Sequence, residues 1–205
     1  MSGVRLIKST MSTQNLNQPL IGFSAAPYTL FYYMVGGTSK KNTDIGETYL
    51  RSHPSESAGL MSRLSDIVVE YLSRQQKAGC DIVQVFEAMG GSLSEGTFNE
   101  HVLPVLSSVA GALGSAGVGP KMCFARGACH ANTVLGGSFD CVTVDTETSA
   151  VAAQSAVDCV VQGGFDPKIL VGEDDEGSRG MIREVRRGRG AISDVVEEGA
   201  PIEPY

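Results

Sequence analysis

A chain of 205 residues with 42% hydrophobic and 19% charged residues has the composition of a soluble globular protein, with enough apolar material for one substantial core. Its formal net charge of −7 argues against nucleic acid as a general partner, because phosphate binding needs a basic face; a small anion held by a few local arginines stays open. No apolar run reaches the roughly 18 residues that a membrane-spanning helix requires, so no membrane partner is expected.

Residues 1–18 read as the tail of a helix carrying Val4, Leu6 and Ile7, followed by a polar loop. Leu20 to Phe23 is a short apolar run that opens onto Ser24-Ala25-Ala26 and then Pro27. That is the pattern of a buried strand giving way to a helix, with Pro27 suited to the first helical turn. Thr29 to Val35 is aromatic and apolar, so this helix faces other protein, and Gly36-Gly37 stops it. Ser39 to His53 is polar and reads as loop.

A long helix is expected from about Ser55 to Ala78. Leu60, Leu64, Ile67, Val68, Tyr71 and Leu72 fall on one face at the 3.6-residue period, Ser55 or Ser57 can cap its start, and Gly79 its end. Asp81 to Phe86 is a β-branched strand that ends in the loop Glu87-Ala-Met-Gly-Gly91. Phe98 to Leu113 is helical by spacing, with a second helix starting at Pro104. Met122–Phe124, Cys141–Val144 and Cys159–Gln162 read as strands, with a helix over Thr148–Val157. Asp145 and Asp166 follow strand ends, where an aspartate caps a helix or meets a ligand.

The last part is charged. Arg179 to Arg189 holds five arginines and reads as a solvated amphipathic helix, and Ala191 to Val196 is a sixth strand candidate. Alternating strands and helices imply a parallel sheet with helices outside it. Residues 1–205 are expected to form one domain, with 171–205 a divergent charged tail. In such folds ligands sit at the carboxyl ends of the strands, which puts Ser24 to Tyr33 where chemistry would be done. The five cysteines, Cys80, Cys123, Cys129, Cys141 and Cys159, are an odd number and lie largely in or beside apolar runs. They read as reduced thiols, so the cytoplasm is the expected location, with a plastid open.

The stretch Pro19 to Lys41 resembles the Gly-Phe-x-Gly-Ala-Pro-Trp-Thr-Leu-x-x-Tyr-Met-x-x-Gly-Gly segment of the uroporphyrinogen decarboxylases, with Ala25 in place of the first Gly of its Gly-Ala-Pro and Tyr28 in place of the Trp. Later segments follow in the family's order. Ala78-Gly-Cys-Asp-Ile-Val-Gln-Val-Phe-Glu87 is similar to Ala-Gly-Ala-x-x-x-Gln-x-Phe-[Glu/Asp], and Phe124-Ala-Arg-Gly127 to Phe-x-Lys-Gly. Asp145 matches the Asp of Leu-Asp-Trp, and Gln162-Gly-Gly-Phe-Asp-Pro167 resembles Gln-Gly-Asn-Leu-Asp-Pro.

This resemblance implies a TIM-type (β/α)8 barrel, here incomplete, with about six strands and the first two missing. It implies cofactor-free and metal-free decarboxylation of the acetate arms of uroporphyrinogen, giving coproporphyrinogen in porphyrin and haem biosynthesis. A homodimer, or a partner covering the open barrel edge, goes with it. Tyr33 falls on the family's substrate-binding tyrosine, and Phe23 and Phe86 on apolar residues lining its cleft. Ala88 stands where the family has a small hydroxyl residue, and Glu197 stands roughly where it has a histidine. The family's arginine cluster and catalytic aspartate have no counterpart in residues 1–18, so the catalytic residues stay unassigned. The chain then reads as a fragment or a cut-down form, and the 205 residues alone are not expected to decarboxylate uroporphyrinogen. Two rivals remain. One is a degenerate, non-catalytic relative acting as a binding or structural subunit. The other is a zinc-dependent methyltransferase of the same superfamily, suggested by Cys129-His130.

Overall fold

The computed structural model describes residues 1–36 and 45–164. The predicted sixth strand, the arginine-rich helix, Asp166 and Glu197 lie outside the described residues. Five strands form one parallel sheet: β1 (Ile21–Ala25), β2 (Ile82–Glu87), β3 (Lys121–Ala125), β4 (Cys141–Val144) and β5 (Val160–Gly163). Their order in the sheet is their order in the chain. A doubly wound sheet reverses order at a switch point, whereas this winding advances one strand at a time in a single sense. Among the described residues the fold is therefore an α/β sheet of five strands.

The helices are α1 (Ser2–Thr13), α2 (Pro27–Gly36), α3 (Ile45–Ser52), α4 (Pro54–Lys77), α5 (Glu95–Thr97), α6 (Leu103–Ser115), α7 (Asn132–Gly136) and α8 (Ala150–Gln154). A π turn over Phe98–Val102 joins α5 to α6, and Pro104 sits in the first turn of α6, as its sequence position suggests. Three expectations change. The polar stretch before His53 holds α3, whose Gly46 and Leu50 are buried against its neighbours. Neither Ser55 nor Ser57 caps α4: His53 is the N-cap residue, without a side-chain cap, and Pro54 opens the helix. The buried stripe of α4 runs through Met61, Leu64, Val68 and Leu72, while Ile67 and Tyr71 stay exposed. The apolar residues of α4 thus span two neighbouring stripes, and only one of them meets the core.

Strand alternation divides the sheet into two unlike faces. Val83 and Val85 of β2, Cys123 and Ala125 of β3, and Val142 and Val144 of β4 join α2, α4, α6 and α7 in the core. Full burial of each such valine is worth about 1.5–3 kcal/mol. The opposite face carries Ile21 and Phe23, then Gln84 and Phe86, Met122 and Phe124, Cys141 and Thr143, and Val160. None of these joins that helix-side cluster; Phe23 and Val160 are about 60% exposed, while Gln84, Met122 and Cys141 are buried. The helices seal one face of the sheet; the other is open at Phe23 on one side and Val160 on the other.

β1 and β5 are the two edges of the sheet among the described residues, and the β1 backbone at Phe23 is closed by a side chain. Gln75 of α4, itself buried, donates Nε2 to the Phe23 carbonyl at 2.8 Å and accepts the Phe23 N–H on Oε1 at 2.9 Å. Gly22 makes room for this clamp, since a Cβ there would meet Gln75 Oε1 at 2.7 Å. Gln75→Ala leaves two backbone groups without partners and is expected to lower the unfolding free energy by about 1–3 kcal/mol. A urea titration with an unchanged slope and a lower midpoint is the expected record; an unchanged midpoint contradicts it.

Candidate functional site

The open face carries a row of three aromatic rings near the carboxyl ends of the strands. Ala25 lies opposite Phe86 and Phe86 opposite Phe124, so the rings follow one another across β1, β2 and β3. Phe23 meets Phe86 edge to face with centroids 5.8 Å apart, and Phe86 meets Phe124 likewise at 6.3 Å. Each such contact adds about 0.5–1.5 kcal/mol beyond burial. Phe23, 61% exposed, is the outermost ring. Deeper on this face, Gln84 donates Nε2 to Thr143 Oγ1 at 3.3 Å. A large apolar surface beside a few polar groups is the usual make-up of a ligand site.

The structure thus brings two of the sequence-identified residues, Phe23 and Phe86, into contact. Tyr33 is not in that row. It sits on α2, half exposed, with its ring packed edge-on against Tyr32 at 5.8 Å. The rest of the aromatic helix is core, since Tyr28, Phe31 and Tyr32 are buried. Phe124 is the ring that sequence reasoning left out of the site, although its alternation with Met122 on β3 marks it as facing the same way.

Beneath the row lies a buried carboxyl group. Val83, Val85 and Glu87 share the core face of β2, so the period of two puts Glu87 inside, and it is fully buried. Thr29 donates its N–H to Glu87 Oε2 at 3.1 Å and its hydroxyl to Oε1 at 2.7 Å, and the Met89 N–H donates to Oε1 at 2.9 Å. The Ala88 N–H donates in turn to Thr29 Oγ1 at 2.8 Å. Thr29 lies in the first turn of α2, where backbone donors lack helical partners and favour a negative charge. These bonds tie the end of β2 to the start of α2. Burial nevertheless dominates and pushes the Glu87 carboxyl up to about 7. Burial pushes the neighbouring Cys123 thiol and Tyr28 phenol up as well. The sequence offered Glu87 as the start of a loop and as the acidic position of a family motif, with no sign of its burial.

The turn after β3 is held just as firmly. The Arg126 N–H donates to the Glu87 carbonyl at 2.9 Å, and the Gly91 N–H donates to the Arg126 carbonyl at 2.9 Å. The Gly127 N–H donates to Asp145 Oδ2 at 2.8 Å, and Cys129 Sγ donates to the same oxygen at 3.1 Å. Asp145 therefore braces the β3 turn and does not cap a helix; Ser149 caps α8. Burial raises the Cys129 thiol, and the His130 ring packs edge-on against Phe98 at 5.5 Å. Among the described residues, no three His, Cys, Asp or Glu side chains gather as metal ligands. A separate cleft of about 520 Å³ lies beside α3 and α5, lined by Arg51, Ser94, Thr97 and His101 among others. Its polar groups already serve one another: Arg51 donates to Glu47 at 2.8 Å and Thr97 to the same oxygen at 2.7 Å.

The family description uroporphyrinogen decarboxylase (URO-D) matches residues 2–193. Among curated relatives, the uroporphyrinogen decarboxylase of Salinibacter ruber is 37% identical over 161 residues, covering 77% of this chain and 46% of that protein. That of Bacillus subtilis is 34% identical, covering 77% and 45%, and that of Dictyostelium discoideum 34% identical, covering 74% and 43%. The chain spans about half the length of the curated relatives it matches. Among solved structures, a methyltransferase from Methanosarcina mazei superposes with a TM-score of 0.61 at 11% identity, over 77% of this chain and 45% of that one. At that identity the likeness speaks for the fold alone.

Proposed function

Since the chain belongs to the uroporphyrinogen decarboxylase family, we propose that its open sheet face is the porphyrinogen-binding wall of a TIM-type barrel that decarboxylates the acetate arms of uroporphyrinogen to give coproporphyrinogen. The observation that carries the reading is the aromatic row Phe23–Phe86–Phe124, uncovered by helices on the face that a barrel turns inward. The reaction needs an apolar cleft for the macrocycle, a proton donor at a pyrrole carbon and stabilisation of the cation that forms. The rings supply the cleft: they take up the macrocycle and exclude water, which strengthens every charge that acts there. Tyr33 is a substrate contact in this proposal, reached from α2. The proton donor is not assigned to any residue of this chain. Closure of the barrel, pairing of two chains, a single domain with a divergent tail and a cytoplasmic setting belong to the same proposal.

Titration of the chain with uroporphyrin, followed by porphyrin fluorescence, is expected to saturate. Phe23→Ala and Phe86→Ala are each expected to raise Kd about tenfold, the loss of roughly 1.4 kcal/mol of aromatic contact. Phe23 is largely exposed, so its variant keeps its fold and the effect reads as binding. No saturable binding, or binding indifferent to both variants, contradicts the reading. Ala88 favours a second reading, a relative that binds without turnover, because its side chain has no hydroxyl to offer a carboxylate. Coproporphyrinogen formed above a protein-free control decides for catalysis, and binding without product decides for the second reading.

A further inference from the structure

An anionic macrocycle needs cations at the rim of its site as well as rings in its wall, and the described loops at the carboxyl ends of the strands offer one. Ala26, residues 88–94, 126–131 and 145–149, and Gly164 follow the five strands, and Arg126 is the only Lys or Arg in those segments. It is exposed. Among the described residues Arg126, like Arg5, Arg63 and Lys77, has no ion pair and no side-chain hydrogen bond, and of these four it alone lies at the carboxyl ends of the strands. Asp145, the acid braced against the same turn, is engaged by the Gly127 N–H and Cys129.

The backbone of Arg126 is fixed where a specific contact needs it. Its N–H and carbonyl are bonded to Glu87 and Gly91, both in the segment that ends β2. On β3, Met122 and Phe124 take the open face and Cys123 and Ala125 the core, so the next step of the alternation returns Arg126 to the side of the rings. A guanidinium offers a planar fork that matches a carboxylate in two hydrogen bonds.

We propose that Arg126 is a carboxylate-binding residue of the open face, pairing with an acid arm of the macrocycle whose body rests on Phe23, Phe86 and Phe124. This rests on the porphyrinogen reading and adds a residue to it. The test is titration of the full chain with uroporphyrin for the unaltered protein, Arg126→Gln, Arg126→Lys and Arg63→Gln. The last changes net charge equally but on an exposed position of α4. Arg126→Gln is expected to raise Kd about tenfold, Arg126→Lys to recover most of the affinity, and Arg63→Gln to leave it unchanged. Equal Kd for the unaltered chain and Arg126→Gln, an equal loss in Arg63→Gln, or no recovery in Arg126→Lys overturns the assignment while leaving the porphyrinogen reading standing. No saturable binding by the unaltered chain overturns both.

Discussion

Glu87 is expected to make the unaltered chain less stable as pH rises from about 4.5 to about 7, and Glu87→Gln is expected to remove most of that slope. The carboxyl titrates near its ordinary 4.5 when unfolded and near 7 when folded. Between these values the folded chain binds more protons than the unfolded one, so unfolding free energy falls as pH rises. The contribution is fully present below pH 4.5 and lost above pH 7. At about 1.4 kcal/mol per pH unit, the change across the window is on the order of 3 kcal/mol. Glu47, Asp81 and Asp140 are all held below their ordinary values, Glu47 chiefly by the Thr97 hydroxyl and the two aspartates chiefly by backbone N–H donors. Their contributions are lost on acidification at lower pH, so they do not mask the slope. Glu87→Ala goes further: it strands the Thr29 and Met89 N–H groups inside the protein, at about 1–3 kcal/mol each. Urea titrations followed by circular dichroism at pH 5 and pH 8 check both variants. An identical pH slope in Glu87→Gln contradicts the assignment.

Gly127→Ala is expected to cost about 3 kcal/mol or more. Gly127 has φ +70°, in the left-handed region that costs a residue with a side chain about 1–2 kcal/mol. A Cβ there would also stand 2.6 Å from the Gly91 Cα and 3.0 Å from its nitrogen. Both neighbours are backbone, so relief requires the turn after β3 to part from the loop after β2. That movement breaks the Gly91–Arg126 hydrogen bond and displaces Arg126, so affinity for uroporphyrin falls with stability. Gly114→Ala is the control. It lies in α6 with no neighbour within 4 Å of the added carbon, and alanine there is neutral or stabilising by up to about 1 kcal/mol. Similar urea midpoints for the two variants contradict the close-packed turn.

The sequence was legible where one local signal decided the structure. Pro27 after a small-residue run marked the passage from β1 to α2, and the β-branched run after Asp81 marked β2. The family motifs placed Phe23 and Phe86 on one wall, and the registers of β1 and β2 put their rings in contact. What stayed hidden depended on partners distant in the chain. Glu87 reads as polar loop until Thr29, 58 residues earlier, closes over it. Gln75 reads as an ordinary residue near a helix end until Phe23 appears beside it. α3 is short and mostly polar, and its buried Gly46 and Leu50 are too few to set up a period. Asp145 looks like a cap from its place after a strand, yet Ser149 lies nearer the helix start and takes that role.

In the proposed function the macrocycle lies on the open face of the sheet. Nuclear magnetic resonance of the chain with carbon-labelled phenylalanine rings, recorded as uroporphyrin is added, tests it most directly, because a porphyrin ring current shifts the rings that it stacks against. Large shifts are expected at Phe23, Phe86 and Phe124 and small ones at the core rings Phe31 and Phe98. Shifts confined to Phe98, beside the cleft at α5, or absent from all three rings of the row, would contradict it.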